Sequence, residues 1–276
     1  MQLSKALNKY FPLIGALALA AGLKTWLIIS ESVPLNGDEA IVSLMARHIL
    51  NGARPVFFYG QAYMGSLDAY LVAIGFKYIG EGVTAVRIVQ SILYLIFLLT
   101  VWVLTRKLYR DKLTANFAVL IAAIPPILVT TYTTATLGGY GESLILGNLI
   151  LLIGYGVTYG DKKEDWWAWL TLGLVGGLAF WVLGMAGIYL LAVGLVGLWQ
   201  FRVKKIKYYA SAWVGFFVGG SAWWLYNIYH SWEAFAALTG PDPIAINFIE
   251  RIIGFFFLGI TTLMGVRMPW TPEFLP

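Results

Sequence analysis

The chain has 276 residues, 59% hydrophobic and 12% charged, with a mean hydropathy of +0.75. A soluble domain carries about a quarter charged residues, so a soluble protein is excluded and a polytopic membrane protein is expected. The net charge of +5 lies in short interhelical loops, where it reports orientation and gives no reason to expect nucleic acid.

With no cysteine and only His48 and His230, disulfides and thiolate metal sites are excluded and an all-histidine site is not expected. Lys5 and Lys9 precede the first apolar run, but Lys24 and Trp26 stand where a small-residue cleavage site would be. The segment reads as an uncleaved anchor.

Seven stretches are long and apolar enough to cross a bilayer, which takes roughly 20 residues. They are Phe11–Ile29, Val86–Leu104, Thr114–Thr131, Ser143–Tyr159, Trp167–Leu183, Gly184–Phe201 and Tyr209–Tyr229. The fifth and sixth meet in a tight hairpin at Trp181–Met185, and Pro125–Pro126 should break the third. The expected fold is all-α: a single module over residues 1–276, with about seven transmembrane helices and further helices lying at the outer surface.

Ser66–Gly80 decides the topology. If it does not cross, the clusters Lys5/Lys9, Arg106/Lys107/Arg110/Lys112, Lys162/Lys163 and Arg202/Lys204/Lys205/Lys207 share one side. The positive-inside tendency favours that arrangement, with the N-terminus cytoplasmic in a plasma membrane. Residues 30–85 then form an outer loop with two in-plane helices. One is Glu39–Asn51, with Ile41, Leu44, Met45, His48 and Ile49 as its buried stripe; the other has Leu67, Leu71, Ile74 and Tyr78 near one face. Residues 230–276 form an outer C-terminal segment. Ile252–Val266 reads there as re-entrant or surface-lying, and Arg267–Trp270 as interfacial. The end at Pro276, soon after Trp270 and Pro272, raises the expectation that further helices follow.

The chemistry-bearing residues lie in these outer stretches. Asp38 and Glu39 are adjacent acids at headgroup level. A carboxylate there could act as a general base or hold a divalent cation; in a plain structural role Asp38 would cap the helix and Glu39 complement its dipole. Phe57–Asp68 contains Tyr59, Gln61 and Asp68 between glycines, either as polar contacts for a ligand or as an interfacial anchor. In Leu137–Ser143, three glycines would let backbone approach a ligand beside Tyr140 and Glu142. Arg54, Arg251 and Arg267 are the outer cations able to neutralise a phosphate. Lys24 either snorkels or pairs with an outer carboxylate, and His48 packs. No P-loop, dinucleotide fingerprint, nucleophile elbow or HExxH motif is present.

The sequence Gly37–Asp38–Glu39–Ala40 after the first span, then Ala85–Val86–Arg87 entering the second, resembles the GT-C superfamily of membrane glycosyltransferases. That group includes the protein O-mannosyltransferases and lipid A aminoarabinose transferases. Tyr59–Gly60–Gln61 and Gly138–Gly139–Tyr140–Gly141–Glu142 resemble motifs of a prokaryotic branch. The resemblance implies a sugar on a polyprenyl phosphate as donor, a lipid, protein or glycan acceptor at the outer face, and inversion at the anomeric carbon. It also implies Asp38 as catalytic acid residue with Glu39 in support, and Arg54, Tyr59, Gln61, Asp68, Tyr140, Glu142 and Arg251 as substrate-binding residues. Asp38 and Glu142 are the candidate ligands for a divalent cation (Mg, Mn or Zn), on which members of the superfamily differ. Two other readings are a lipid or sugar transporter or flippase, and a membrane scaffold without turnover. The transporter predicts midplane ionisable residues and paired broken helices.

Overall fold

A computed structural model describes residues 2–239 and 247–267. Uninterrupted apolar runs become the long helices: α1 (Gln2–Ile29), α4 (Val83–Tyr109), α7 (Tyr140–Thr158) and α9 (Gly187–Phe201), the last entered through a 3₁₀ turn at Gly184–Ala186. Among the described residues, four helical segments are long and apolar enough to cross a membrane: Tyr10–Ile29, Val83–Tyr109, Tyr140–Thr158 and Gly184–Phe201. The other three expected spans are shorter or interrupted. Helix α5 (Lys112–Ala123) stops ahead of Pro125–Pro126, which lack the N–H groups to continue it, and the chain resumes as α6 (Ile127–Tyr132). Helix α8 (Trp166–Val182) has 17 residues, and the last expected span divides at Gly220 into α10 (Ile206–Gly219) and α11 (Ser221–Tyr229).

Between α1 and α4 lie α2 (Gly37–Leu50), a hairpin of β1 (Phe57–Phe58) and β2 (Gln61–Gly65), and α3 (Leu67–Ile79). The strands pair antiparallel, Phe57 with Gly65 and Phe58 with Gln61. Sequence periodicity missed this hairpin because two residues carry no period. At 13 residues, α3 is about 20 Å long, too short to cross alone.

Both α2 and α3 are rotated from their expected faces. In α2 the buried residues are Glu39, Val42, Met45 and Ala46, and Leu44 is exposed. In α3 they are Asp68, Ala69, Val72, Ala73, Gly75 and Phe76, with Ile74 and Tyr78 exposed. The difference arises because each helix packs against protein on more than one side, α3 against both α2 and α4, so small and polar residues face inward. Nor does Asp38 cap α2: Asn36 does, its side chain accepting from Glu39 N at 2.8 Å.

Helices α8 and α10 meet backbone to backbone. A Cβ on Gly173 or Gly177 would strike the carbonyl oxygen of Ala212 or Phe216, and one on Gly215 or Gly219 that of Leu170 or Leu174. Small residues repeating every fourth position on both helices allow this approach, as in transmembrane pairs.

The loops sort into two ends. At one, Met64 bridges to Leu183, Trp181 Nε1 donates to Val56 O at 3.0 Å, and the Phe57 ring meets Tyr226 edge-on at 4.8 Å. At the other, Lys205 pairs with Glu164 at 2.6 Å, Ser211 donates to Trp166 O, and Arg106 and Lys107 share a cavity with Asp161. The acids of the outer-loop stretches thus gather opposite the basic clusters.

The C-terminal described elements are α12 (Glu233–Thr239), α13 (Phe248–Gly254), a π-helical turn (Phe255–Ile260) and α14 (Thr261–Leu263). The α14 turn packs against α6, where a Cβ on Gly265 would meet Pro126. Met268–Trp270 of the expected interfacial segment lie outside the described residues.

Candidate active site

Adjacent residues on a helix point about 100° apart, so Asp38 and Glu39 in the first turn of α2 cannot face the same way. Glu39 turns inward and is fully buried; its Oε1 accepts from Arg87 Nε at 3.0 Å and its Oε2 from Arg87 Nη2 at 3.2 Å. Arg87, near the start of α4, is itself 4% exposed. This two-bond arrangement takes both carboxylate oxygens, so the support expected of Glu39 is positional: it anchors the start of α2 to α4. Asp38 is half-buried and, among the described residues, its carboxylate has no hydrogen-bond or ion-pair partner. It lies within electrostatic reach of the Tyr140 phenol, as do Tyr63 and Tyr132. Tyr132 and Tyr140 meet edge to face at 4.7 Å. The α2 N-terminus, with its unpaired N–H groups, stabilises negative charge at this position.

A second acidic couple lies deeper. Asp68, at the start of α3, is buried; its Oδ1 accepts from Gln90 Nε2 of α4 at 2.6 Å, and Thr136 Oγ1 donates to its Oδ2. The same Thr136 oxygen accepts from Gly138 N at 3.1 Å. Glu142, in the first turn of α7, is buried beside Asp68, and among the described residues neither of its oxygens has another partner. Burial pushes the Asp68 carboxyl above the usual carboxylate range, against the pull of the Thr136 and Gln90 hydrogen bonds.

Gly138 and Gly139 take positive φ (75° and 47°), but their closeness is to protein, not to open space for a ligand. A Cβ on Gly138 would strike Met64 Sδ, and one on Gly139 would come within 2.8 Å of Val182 O. These glycines seat the start of α7 against the hairpin and the end of α8, which fixes Tyr140 and Glu142. That corrects the expectation that they open backbone to substrate.

The remaining expected residues disperse. Arg54 is exposed, its Nη1 donating to Ala53 O, and it follows the far end of α2. About 20 Å of helix separates that end from Asp38, so the two do not meet at one phosphate. Tyr59 is exposed, with its hydroxyl 3.0 Å from His48 Nδ1, and Gln61 is half-buried at the start of β2. Arg251 is exposed on α13. Lys24 neither snorkels nor pairs with an acid: its buried Nζ donates to Thr133 O (2.8 Å), Thr133 Oγ1 (2.7 Å) and Thr134 Oγ1 (2.7 Å), and lies 4.4 Å from the Tyr94 ring centre.

For a divalent cation, Asp68 and Glu142 with Thr136 offer hard oxygen donors of the kind such ions take. The structure groups Glu142 with Asp68, whereas the expectation had grouped it with Asp38. Among the described residues no three acids or histidines cluster, so phosphate oxygens would have to complete the coordination. The sequence alone does not show the partners that Arg87, Gln90 and Thr136 take in the fold, although Arg87 stands in a stretch that carries the resemblance. Two polar residues three apart near the start of an apolar span were the available signal for the first two.

Residues 66–226, more than half of the chain, match the sequence family described as dolichyl-phosphate-mannose-protein mannosyltransferase. The chain belongs to that family. It is therefore a membrane glycosyltransferase of GT-C type. No curated protein and no solved structure matches it. The matched region begins at Ser66 and so includes Asp68, Arg87, Gln90, Thr136 and Glu142, while Asp38 and Glu39 precede it.

Proposed function

We propose that this glycosyltransferase moves a sugar from a polyprenyl phosphate to a lipid, protein or glycan acceptor, with inversion, at the acid-bearing end of the molecule. The observation that carries the reading is the division of labour at the start of α2. Glu39 is consumed by Arg87, and Asp38 is left half-buried, unpaired and beside Tyr140. A carboxylate held in place but not neutralised is what a general base requires.

In the proposed reaction Asp38 takes the proton of the acceptor hydroxyl as its oxygen attacks the anomeric carbon. The bond from that carbon to the phosphate oxygen breaks on the opposite face, and polyprenyl phosphate leaves with the bonding pair. Attack opposite the leaving group inverts the configuration, as in inverting glycosidases. Tyr140 and Tyr63 are the groups that would orient the sugar. The leaving phosphate needs neutralisation more than protonation, and Arg251 is the arginine proposed for it. A divalent cation held by Asp68 and Glu142 would supply charge stabilisation of the same kind. An apolar groove of about 810 Å³ between α8, α9 and α10, lined by residues such as Leu190, Val193 and Phe216, supports a lipid tail lying between spans.

Positive-inside distribution of the basic end argues that the acids face outward across a plasma membrane. The deciding experiment is Asp38→Asn with a polyprenyl-phosphate sugar in nanodiscs: turnover should fall by about 10²–10⁴. Unchanged turnover in a folded variant would remove Asp38 from the mechanism.

A further inference from the structure

At the end opposite Glu142, about 26 Å further along α7, a cavity of about 680 Å³ opens between the last turns of α4 and α7. Trp102, Arg106 and Lys107 of α4 line it with Arg110, the residue that follows that helix, and so do Tyr155 of α7 and Tyr159 just after it. Trp102 is fixed by donating from Nε1 to Asn116 Oδ1 at 2.9 Å, and the two tyrosine rings sit 5.9 Å apart.

The charges here are unbalanced. Elsewhere on this end Lys162 pairs with Asp165 at 3.2 Å and Lys205 with Glu164 at 2.6 Å. Among the described residues, the side chains of Arg106, Lys107 and Arg110 have neither ion-pair nor hydrogen-bond partners. One acid, Asp161, lines the cavity against these three cations. Asp111 lies within the field of Arg106, but its carboxylate is engaged by Thr114 N and Oγ1 at 2.6 and 2.7 Å.

A positive-inside signal needs only charge in a loop; it does not need a recess lined by aromatic side chains. Cations converging on aromatic walls, with Leu152 and outward-facing Val103 at the lipid side, form a receptor for an anionic head carrying apolar tails. We propose that this cavity binds the phosphodiester headgroup of an anionic phospholipid from the leaflet at the basic end. The guanidinium and ammonium groups would hold the phosphate, and the acyl chains would run along Val103 and Leu152. A bound lipid would brace α4 against α7, the two helices whose other ends carry Arg87, Gln90 and Glu142.

The test is lipid retention by native mass spectrometry, together with thermal melting, on delipidated full-length protein in detergent. Phosphatidylglycerol, phosphatidylcholine and inorganic phosphate are titrated separately. The wild type should retain phosphatidylglycerol and melt several degrees higher with it, while phosphatidylcholine and phosphate have no such effect. R106Q/K107Q/R110Q should weaken retention at least tenfold. Leu152→Trp, which fills the cavity and leaves the charges, should weaken it as well. K204Q/K207Q, which neutralises charge elsewhere on the same end, should keep it. Wild-type retention in both cavity variants, or equal loss in K204Q/K207Q, overturns the site. A response to inorganic phosphate without one to phosphatidylglycerol overturns the lipid assignment.

Discussion

The α8–α10 pair and the α2–α3–α4 cluster are both packed closely, by opposite means. In α8–α10 closeness comes from absence: four glycines let two backbones touch, with Ser211 of α10 donating to Trp166 O at the start of α8. In α2–α3–α4 it comes from charge: the Glu39–Arg87 pair and the Asp68–Gln90 bond stand where apolar side chains would pack. A glycine seam yields stability and no chemistry. The charged cluster contributes less secure stability, because desolvation offsets much of its attraction, but it fixes which carboxylates are free.

That contrast can be broken by substitution, with thermal melting as the common readout. Arg87→Met strands a buried carboxylate and should cost about 3–5 kcal/mol, whereas the double variant with Glu39→Met should recover much of the loss. If the single and double variants melt alike, the pair is not what holds α2 to α4. Gly177→Val forces a side chain into the Phe216 carbonyl and should cost about 1–3 kcal/mol; wild-type melting would mean the seam can spread. Asn36→Ala removes the cap on α2 and should cost about 1 kcal/mol, with a partial loss of turnover because Asp38 rides on that turn. Asp38→Asn should shift stability by no more than about 0.5 kcal/mol while turnover collapses. A large drop in its melting temperature would reassign Asp38 to structure.

The sequence made some of this readable. The length of apolar runs located the helices, the double proline located the break after Ala123, and the position of Asp38 just past the first span singled out the carboxylate on which the proposed reaction rests. Ser66–Gly80 contains a helix of 13 residues, a length short for a span, and the basic loops gather at one end of the molecule. The roles of individual acids were not readable, because they depend on partners far along the chain. Glu39 is set apart from Asp38 by Arg87, 48 residues on, and Asp68 is tied to Thr136, 68 residues on. Periodicity misjudged the buried faces of α2 and α3, since it assumes one apolar stripe and these helices are enclosed on more than one side. Glycines at 138 and 139 leave the same mark in a sequence whether they make space for a ligand or a tight fit against Met64 and Val182.

Lys24 and Arg87 are both buried cations, yet they leave the chain with unequal freedom to drift. The threonines that hold Lys24 also donate to carbonyls of the preceding helix α6, Thr133 to Val129 and Thr134 to Thr130, so replacing Lys24 by methionine orphans no charge. Replacing Arg87 abandons Glu39 in the protein interior. Descendant sequences can therefore lose the lysine in one step, while the arginine and its glutamate should vanish or persist together.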